Sequence, residues 1–383
     1  MSIIISDIEN IYEDEFVGNN GVEVFHEGCK AFDDIFNAID SAERSVLLAF
    51  YIFKDDLTGQ ELAGLLKKKA AQGLRVCILY DHFGSFSTQR KFWRELKDGG
   101  VALRASHPFK WRAIGEYIRR DHRKLIVIDG KITYTGGLNI GDEYRGFGMF
   151  KHKERGWRDT VVKATGPVSE KLYNIYRITW KYWGGDPIPE LKVKVAFEKE
   201  GGYPALPIFS SSSRGRRMVR KLLYWCIMNA ESSICLTTAY FIPSRRMLHI
   251  LRDAAGRGVK VRLMLPGISD IKAVMYAGRA TFTKLLEWGV EIYLYNKTVL
   301  HAKSYIFDSI FSIVGSANLD FQSLRKNDEG NIGVYGGGFS EEMQGIFNID
   351  IGDSEQIILE KWRNRPVLNK LLEKLFVMFR RRL

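Results

Sequence analysis

The chain has 383 residues, of which 45% are hydrophobic and 13% aromatic, and its formal net charge is +12. This composition can bury a large core, so it excludes a disordered chain, and the length fits one large or two medium domains. The positive charge favours an anionic partner, either nucleic acid or an acidic membrane, without deciding between them.

Targeting signals and cysteines restrict the location of the protein. Residues Met1 to Phe16 carry several acidic side chains and lack a basic start followed by an apolar block, so we predict no signal peptide. No run of about 18 apolar residues occurs, so no transmembrane helix is expected. The cysteines are scattered without metal-ligand spacing, which predicts core positions in a reducing compartment. They are Cys29, Cys77, Cys226 and Cys235.

Residues 1–20 are predicted to form an N-terminal arm, either a short leading helix or a loose segment that covers a core. In a first domain over residues 21–185, helices then alternate with strands, a pattern typical of helices packed on a mostly parallel sheet. Its predicted elements are helix Phe32–Ala42, strand Ser45–Phe53, helix Gly59–Ala71, strand Arg75–Tyr80, helix Phe92–Asp98 and strand Val101–Arg104.

A polar motif on a predicted hairpin follows these elements. His122 and Lys124 are two residues apart, so on a strand both side chains point to one face. The apolar residues 125–128 continue the strand, and Asp129 opens a turn. The second strand, residues 132–135, ends at small residues, and the hairpin brings Asn139 back beside the lysine. The lysine ammonium and the asparagine amide can both donate hydrogen bonds to phosphate oxygens.

The chain then repeats this organisation. Turn-forming residues predict a linker over residues 186–210, and a second domain follows over residues 211–340. Its predicted elements are helix Arg216–Ala230, strand Ser233–Ala239, helix Arg245–Ala255, strand Lys260–Leu265, helix Thr281–Leu286 and strand Glu291–Tyr295. The polar motif recurs with the same spacing as His301, Lys303, Asp308 and Asn318. Such repetition indicates an internal duplication and one site shared by the two copies.

The last predicted domain, residues 341–383, consists of C-terminal helices. Helices are predicted at Glu341–Phe347 and Ser354–Arg363, and from Pro366 leucines and phenylalanines recur at helical spacing among basic residues. Such a tail helix either lies in an acidic membrane interface or packs on its own domain.

Each polar motif is the His-Lys-Asp signature of the phospholipase D superfamily, and the surrounding sequence resembles bacterial cardiolipin synthases. The segments that carry the resemblance are Arg123–Lys131, Gly136–Tyr144, Gly156–Thr160, Tyr240–Pro243, Leu265–Asp270 and Gly315–Phe321. The resemblance covers roughly residues 20–340. It implies the phospholipase D fold, an α/β architecture of two similar α-β-α lobes with mixed or parallel sheets, related by pseudo-twofold symmetry. The commonest bacterial members begin with two membrane spans, whereas no membrane span is expected from this sequence.

Phosphodiester transfer needs a nucleophile, an acid for the leaving oxygen and cations for the developing charge, and the duplicated motif offers all three without metal or cofactor. The resemblance implies His122 as the nucleophile and His301 as the acid and base, although the sequence alone barely separates them. It also implies an acidic residue that orients each histidine, matched best by Asp159 and Glu329. The remaining candidates bind phosphoryl oxygens, except Asp129 and Asp308, which belong to the signature but favour a structural role. The candidate site comprises His122, Lys124, Asp129, Asn139, Asp159, His301, Lys303, Asp308, Asn318 and Glu329.

Two basic clusters near the first motif have two interpretations each. The segment from Arg145 to Arg155 either gates the site and touches lipid or is a solvated loop. Four arginines before and within the motif either receive anionic head groups or form a solvated face. They are Arg112, Arg119, Arg120 and Arg123.

These patterns predict a cardiolipin synthase-type phosphatidyltransferase that converts two phosphatidylglycerols to cardiolipin and glycerol through a phosphohistidine. The protein is expected in the cytoplasm, peripheral on the inner face of the cell membrane. The alternatives are a phospholipase D hydrolase or a transferase with another acceptor, and a nuclease. Nucleic acid is not the expected partner, because small nucleases of this superfamily usually carry one signature per chain. The acceptor alcohol and the oligomeric state stay open.

Overall fold

The computed structural model describes residues 3–109, 119–146, 156–191 and 202–379. The elements of the first half are α1 (Ile5–Tyr12), β1 (Val17–Phe25), α2 (Gly28–Asp40), β2 (Ser45–Phe50), α3 (Leu57–Ala71), β3 (Arg75–Asp81), α4 (Arg90–Asp98), β4 (Ala102–Ser106), β5 (Leu125–Ile128), β6 (Ile132–Gly136), α5 (Asp142–Arg145), β7 (Val161–Thr165) and α6 (Pro167–Tyr182). Those of the second half are β8 (Tyr203–Ser210), α7 (Ser213–Asn229), β9 (Ser233–Thr237), α8 (Arg245–Gly256), β10 (Lys260–Pro266), α9 (Lys272–Arg279), α10 (Phe282–Glu287), β11 (Glu291–Tyr295), β12 (Ser304–Phe307), β13 (Phe311–Gly315), α11 (Phe321–Arg325), β14 (Glu329–Tyr335), α12 (Gly337–Gly352), β15 (Ser354–Gln356), α13 (Leu359–Arg363) and α14 (Val367–Met378).

The strands of the described residues form one 15-stranded sheet in which the same order occurs twice. Outward from the centre, the first half runs β1-β7-β6-β5-β2-β3-β4 and the second half runs β8-β14-β13-β12-β9-β10-β11. The short strand β15 adds to the end of the second half, and β1 pairs antiparallel with β8 to join the halves. The repeated order confirms the predicted fold of two similar lobes related by pseudo-twofold symmetry.

The sheet is mixed rather than mostly parallel. Parallel pairing is confined to β2-β3-β4 in the first half and β9-β10-β11 in the second, where helices connect successive strands. The hairpins β5-β6 and β12-β13 reverse the chain direction, so the strands around them pair antiparallel. A short turn can join only antiparallel strands, so the predicted hairpins account for the antiparallel part of each lobe and the helix-connected strands account for its parallel part.

Side chains of one strand serve two hydrophobic cores. Every residue of β2 is buried, with Val46 and Leu48 in an outer core against α2 and α3. Their neighbours Leu47 and Ala49 enter a middle core that both halves share and that α6 and α12 fill. Because successive side chains on a strand point to opposite faces, a continuous apolar run is needed wherever both faces of a sheet are covered.

Two segments differ from the elements predicted for them, whereas residues 3–12 contain the short helix α1 that was one of the alternatives predicted for the arm. Ile3 and Ile8 are buried in the core of the second half, and α1 contacts α7. The stretch 186–210, predicted as a linker, contains strand β8 between β14 and β1. The segment predicted as helix Ser354–Arg363 instead forms β15 on β11, followed by α13. Each difference arises from pairing with distant residues, which local patterns do not encode.

Among the described helices, none combines the length and the apolar composition needed to span a bilayer.

Candidate active site

Backbone pairing between the two halves places both copies of the polar motif at one interface. The His122 amide donates to the Asp328 carbonyl at 2.8 Å, and the Asp328 amide donates to the Arg120 carbonyl at 2.8 Å. The second copy repeats the contact, since the His301 amide donates to the Arg158 carbonyl at 2.8 Å. Each histidine is therefore held, at the start of its hairpin, by the residue that directly precedes the opposite half's acidic residue.

Each histidine is hydrogen-bonded by a carboxylate from the other half. His122 Nδ1 lies 3.0 Å from Glu329 Oε2, and His301 Nδ1 lies 2.7 Å from Asp159 Oδ2. The hydroxyl of Ser316 also donates to Glu329. A carboxylate at Nδ1 fixes the proton there, which leaves Nε2 with its lone pair. Neither half alone contains a complete histidine and carboxylate pair.

The lysines and asparagines lie close around the histidines. Lys124 Nζ donates to the His122 carbonyl at 2.6 Å, and Lys303 Nζ lies 2.9 Å from His301 Nδ1. Asn139 accepts at Oδ1 from the Ile52 amide at 3.1 Å, which fixes the orientation of its side-chain amide. Its equivalent Asn318 accepts from the amide of Tyr240 at 3.2 Å. In each half a backbone N–H group thus fixes the side-chain oxygen of the asparagine. The side-chain NH₂ group consequently points away from that backbone N–H group.

Both histidines and both asparagines line a cavity of about 1090 Å³. Aromatic rings form much of its wall beside the histidines: the ring centroids of Tyr51 and His122 are 4.9 Å apart, and those of Trp157 and His301 are 5.4 Å apart. The wall also includes Ile268, Ile271 and Val274. The cavity therefore combines a polar reactive centre with apolar walls, as a phosphodiester attached to an apolar chain requires.

Burial suppresses positive charge on the cations of the site. It lowers the pKa of Lys124 to about 7 and that of Lys303 to about 8. Burial, together with the Lys303 ammonium, lowers the pKa of His301 to about 4, and burial also lowers the pKa of His122. Because a nearby anion favours the charged form of each cation, a bound phosphate would raise all four pKa values.

The signature aspartates lie outside this cavity. Asp129 accepts from the backbone amides of Arg44 at 2.8 Å and Ser45 at 2.7 Å, and Asp308 accepts from the amides of Ser232 at 2.8 Å and Ser233 at 2.9 Å. Both aspartates adopt left-handed backbone conformations, with φ of 55° and 52°. They tie the turn of the hairpin to the start of the neighbouring strand, so their direct contacts are with backbone groups and not with the cavity.

The basic clusters separate into different environments. Arg123 is buried in an ion pair with Asp121 at 2.6 Å and has a structural role, whereas Arg120 lines the cavity. Arg145 pairs with Glu61 and Asp33. Arg112 and residues 147–155 lie outside the described residues, as does the gating role predicted for that segment.

Some site residues had no role in the sequence analysis. Tyr51 packs on His122, and its ring also lies 5.2 Å from Lys124 Nζ. Asp320 lines the cavity, and burial raises its pKa to about 7. The internal repeat gave no signal for Tyr51, since the strand register places Ala239 at the equivalent position of the second half. Within the described part of the chain, no group of three or more His, Cys, Asp or Glu side chains could hold a metal ion.

Comparisons with known proteins show which families the chain is similar to. The family model described as cardiolipin synthase, phospholipase D-like domain, matches residues 35–147 and 223–351. Cardiolipin synthase 2 of Bacillus anthracis is 33% identical over 353 residues, which cover 91% of this chain and 68% of that protein. A cardiolipin synthase of Geobacillus sp. is 34% identical over 359 residues, covering 91% and 70%.

A solved structure shares the fold. Phosphatidylserine synthase of Haemophilus influenzae superposes with a TM-score of 0.73 at 15% identity, covering 98% of this chain and 97% of that chain. The duplicated motif, the shared cavity and the matched family model lead to one conclusion: the chain belongs to the cardiolipin synthase family of phospholipase D-like proteins.

Proposed function

We propose that this protein is a cardiolipin synthase, which transfers the phosphatidyl group of one phosphatidylglycerol to the head-group hydroxyl of a second. The observation that carries the proposal is the pair of histidines in one cavity, each bound at Nδ1 by a carboxylate of the opposite half. Two such histidines can act as nucleophile and as proton donor in one reaction.

In the first step, Nε2 of His122 attacks the phosphorus of the first phosphatidylglycerol. A P–N bond forms, the P–O bond to the head-group glycerol breaks, and protonated His301 gives its Nε2 proton to the leaving oxygen. Glycerol departs, and the phosphatidyl group stays on His122. Glu329 accepts the Nδ1 hydrogen of His122 at 3.0 Å and stabilises the positive charge on the substituted ring.

In the second step, a head-group hydroxyl of the other phosphatidylglycerol attacks the same phosphorus. His301, now neutral, takes the hydroxyl proton, a new P–O bond forms and the P–N bond breaks. Cardiolipin leaves, and both histidines return to their starting protonation states. The sum is two phosphatidylglycerols converted to cardiolipin and glycerol.

The lysines and asparagines supply positive charge and donors for the non-bridging phosphoryl oxygens. Lys124 and Lys303 are buried beside the histidines, so a phosphate between the two halves meets two cations in a site of low polarity. Since the phosphate raises their pKa values, it holds both lysines protonated. That charge then stabilises the transition state, in which negative charge on the oxygens increases.

We also propose that the protein attaches to the inner face of the cell membrane through α14. One side of this helix packs on α9, where the rings of Phe376 and Tyr276 stack at 6.1 Å. The leucines of its other side are exposed: Leu368 by 65%, Leu371 by 57% and Leu375 by 49%. An apolar helix face bordered by lysines is suited to an anionic membrane surface.

The proposal is tested by mass spectrometry of lipids after incubation with phosphatidylglycerol vesicles. Cardiolipin and glycerol should form with the unaltered protein and with His249→Ala, whose histidine is exposed on α8, but not with His122→Ala or His301→Ala. Phosphatidic acid alone would identify a hydrolase instead. Unchanged lipid would contradict the proposal and would turn attention to nucleic-acid substrates.

The roles of the two histidines are tested separately. With a short-chain phosphatidyl donor whose leaving group departs without protonation, His301→Ala should accumulate a phosphatidyl adduct on His122, because the first step then needs no acid and the second step lacks its base. Peptide mass spectrometry locates the adduct. An adduct on His301 in the His122→Ala protein would reverse the two roles.

A further inference from the structure

The cavity that contains both histidines is called the active cavity below. A second cavity, of about 610 Å³, adjoins it and is lined by arginines. Apolar and aromatic side chains, including Tyr224, Ile242, Phe321 and Leu324, also contribute to its wall. The four arginines come from α7, α8 and α11, which are separate in the chain. They are Arg220, Arg245, Arg246 and Arg325. We call this site the arginine pocket.

The arginines of the arginine pocket form no ion pairs with carboxylates in the part of the chain that the structure describes. Within the described ranges, none of the four pocket arginines has a carboxylate oxygen within 4.0 Å. Other arginines of the chain do form ion pairs at this distance. Arg246 and Arg325 instead lie over the rings of Tyr224 and Phe321, at 5.5 and 5.7 Å from the ring centroids.

The crowding of like charges is visible at Arg220. Its guanidinium donates to the Leu324 carbonyl at 3.2 Å, and burial, followed by the charges of Arg325 and Arg246, lowers its pKa. Asp320 also lines the pocket, but its carboxylate caps α11 by accepting from the Ser323 amide at 2.7 Å. An entering anion would relieve the repulsion, and a guanidinium matches phosphate oxygens with two parallel hydrogen bonds.

The position of the arginine pocket indicates which phosphate it takes. Asp320 lines both cavities, so the pocket and the active cavity share a wall. Ile242 of the pocket packs in one small cluster with Val274 of the active cavity and with Phe376 of α14. The arginine pocket is therefore connected, through this apolar cluster, to the helix that exposes leucines. A phospholipid carries its phosphate beside apolar chains, whereas a soluble phosphate gains nothing from an adjacent apolar helix.

We propose that the arginine pocket binds the phosphate of an anionic phospholipid and holds this second lipid beside the one that reacts. The lipid assignment rests on the proposed function, while the anion site itself rests on the four arginines. Arg245 and Arg246 form the first turn of α8 and are exposed, so they can be replaced without disturbing a core.

The test compares Arg245→Gln/Arg246→Gln with Arg90→Gln/Arg94→Gln, a matched control that removes the same charge from exposed positions of α4. Both pairs are made in His122→Ala protein, so that lipid is not consumed. Binding is measured by sedimentation with phosphatidylcholine vesicles that contain or lack phosphatidylglycerol. The pocket pair should lose at least about tenfold more phosphatidylglycerol-dependent affinity than the control pair, since guanidinium contacts to phosphate are charge-assisted. Arg325→Gln, on α11, should act in the same direction.

The other outcomes overturn the proposal. Equal losses in both pairs would mean that only net charge matters and that the pocket is no site. Titration with inorganic phosphate tests whether the pocket binds a soluble phosphate instead of a lipid. If the pocket pair loses phosphate binding but keeps vesicle binding, the site takes a soluble anion and the lipid assignment fails. Vesicle binding is measured without turnover. A protein that made no cardiolipin would therefore refute the proposed function, but it could still show the difference in vesicle binding between the two pairs.

Discussion

Replacing Glu329 by glutamine tests whether the opposite half controls the reactive histidine. In the native site Glu329 Oε2 faces His122 Nδ1 at 3.0 Å and accepts from the Ser316 hydroxyl. A glutamine that presents its NH₂ group to Nδ1 forces the ring hydrogen onto Nε2, the atom that attacks phosphorus in the proposed mechanism. A glutamine that presents its oxygen keeps the tautomer but loses the charge of the acceptor.

The two orientations of the glutamine set the limits of the expected loss of rate. Loss of the charge from a buried hydrogen bond costs about 1.5–3 kcal/mol, which corresponds to roughly 10- to 150-fold in rate. The wrong tautomer costs about 10⁴-fold in the comparable Asp to Asn change of a serine protease triad. We therefore expect cardiolipin formation by Glu329→Gln to fall by between about 10-fold and 10⁴-fold, mainly in kcat, because the carboxylate positions the ring and does not bind lipid.

The assay is the initial rate of cardiolipin formation from phosphatidylglycerol over a range of concentrations, with the urea midpoint measured in parallel. Glu341→Gln, which changes an exposed carboxylate on α12, serves as the matched control. Asp159→Asn should produce a loss of similar kind through His301, since its contact of 2.7 Å is the symmetry-related one. A near-normal kcat in Glu329→Gln with an unchanged midpoint would refute the role given to this carboxylate.

Three further predictions follow from charge, backbone contacts and the exposed helix. Burial lowers the pKa of Lys124 from 10.5 to about 7, so the folded state binds fewer protons than the unfolded state between these values. The unfolding free energy therefore rises with pH there, and Lys124→Met should remove about 2–3 kcal/mol of that rise between about pH 7 and pH 9 in urea titrations. Asp129→Ala should lower the unfolding free energy by about 3 kcal/mol, because backbone amides lose a charged acceptor, and should leave kcat of the folded protein near normal. Leu371→Asp/Leu375→Asp should weaken vesicle binding by at least about 30-fold while turnover of soluble short-chain lipid stays unchanged, because two exposed apolar side chains no longer enter the membrane.

Each of these has a control within the chain. Lys131→Met changes an exposed lysine and should leave the pH dependence of stability unaltered. Asp129→Asn keeps a residue that tolerates φ of 55° and should be milder than Asp129→Ala. Leu57→Asp, at a side chain exposed by 70% on α3, should leave vesicle binding unchanged. Equal effects of control and test variants would contradict the corresponding prediction.

Much of the fold and the candidate site could be predicted from local sequence. The spacing of His122 and Lys124, and of His301 and Lys303, follows from the period of two on a strand, and the hairpins follow from turn residues after short apolar runs. The structural preference for Asp129 agrees with its backbone contacts. These features depend on neighbours within about twenty residues, whose pattern the chain states directly.

The sequence by itself determined the duplicated motif, the residue types of the reactive centre and the α/β class of each half. Only the tertiary structure decided that Glu329 of one half serves His122 of the other across 207 residues of chain. It also decided that β8 and β15 join the sheet, and that arginines from three helices meet beside the active cavity. The physical reason is the same in each case: these contacts connect distant segments through the packing of two lobes, and no local periodicity records which distant partner a side chain will meet.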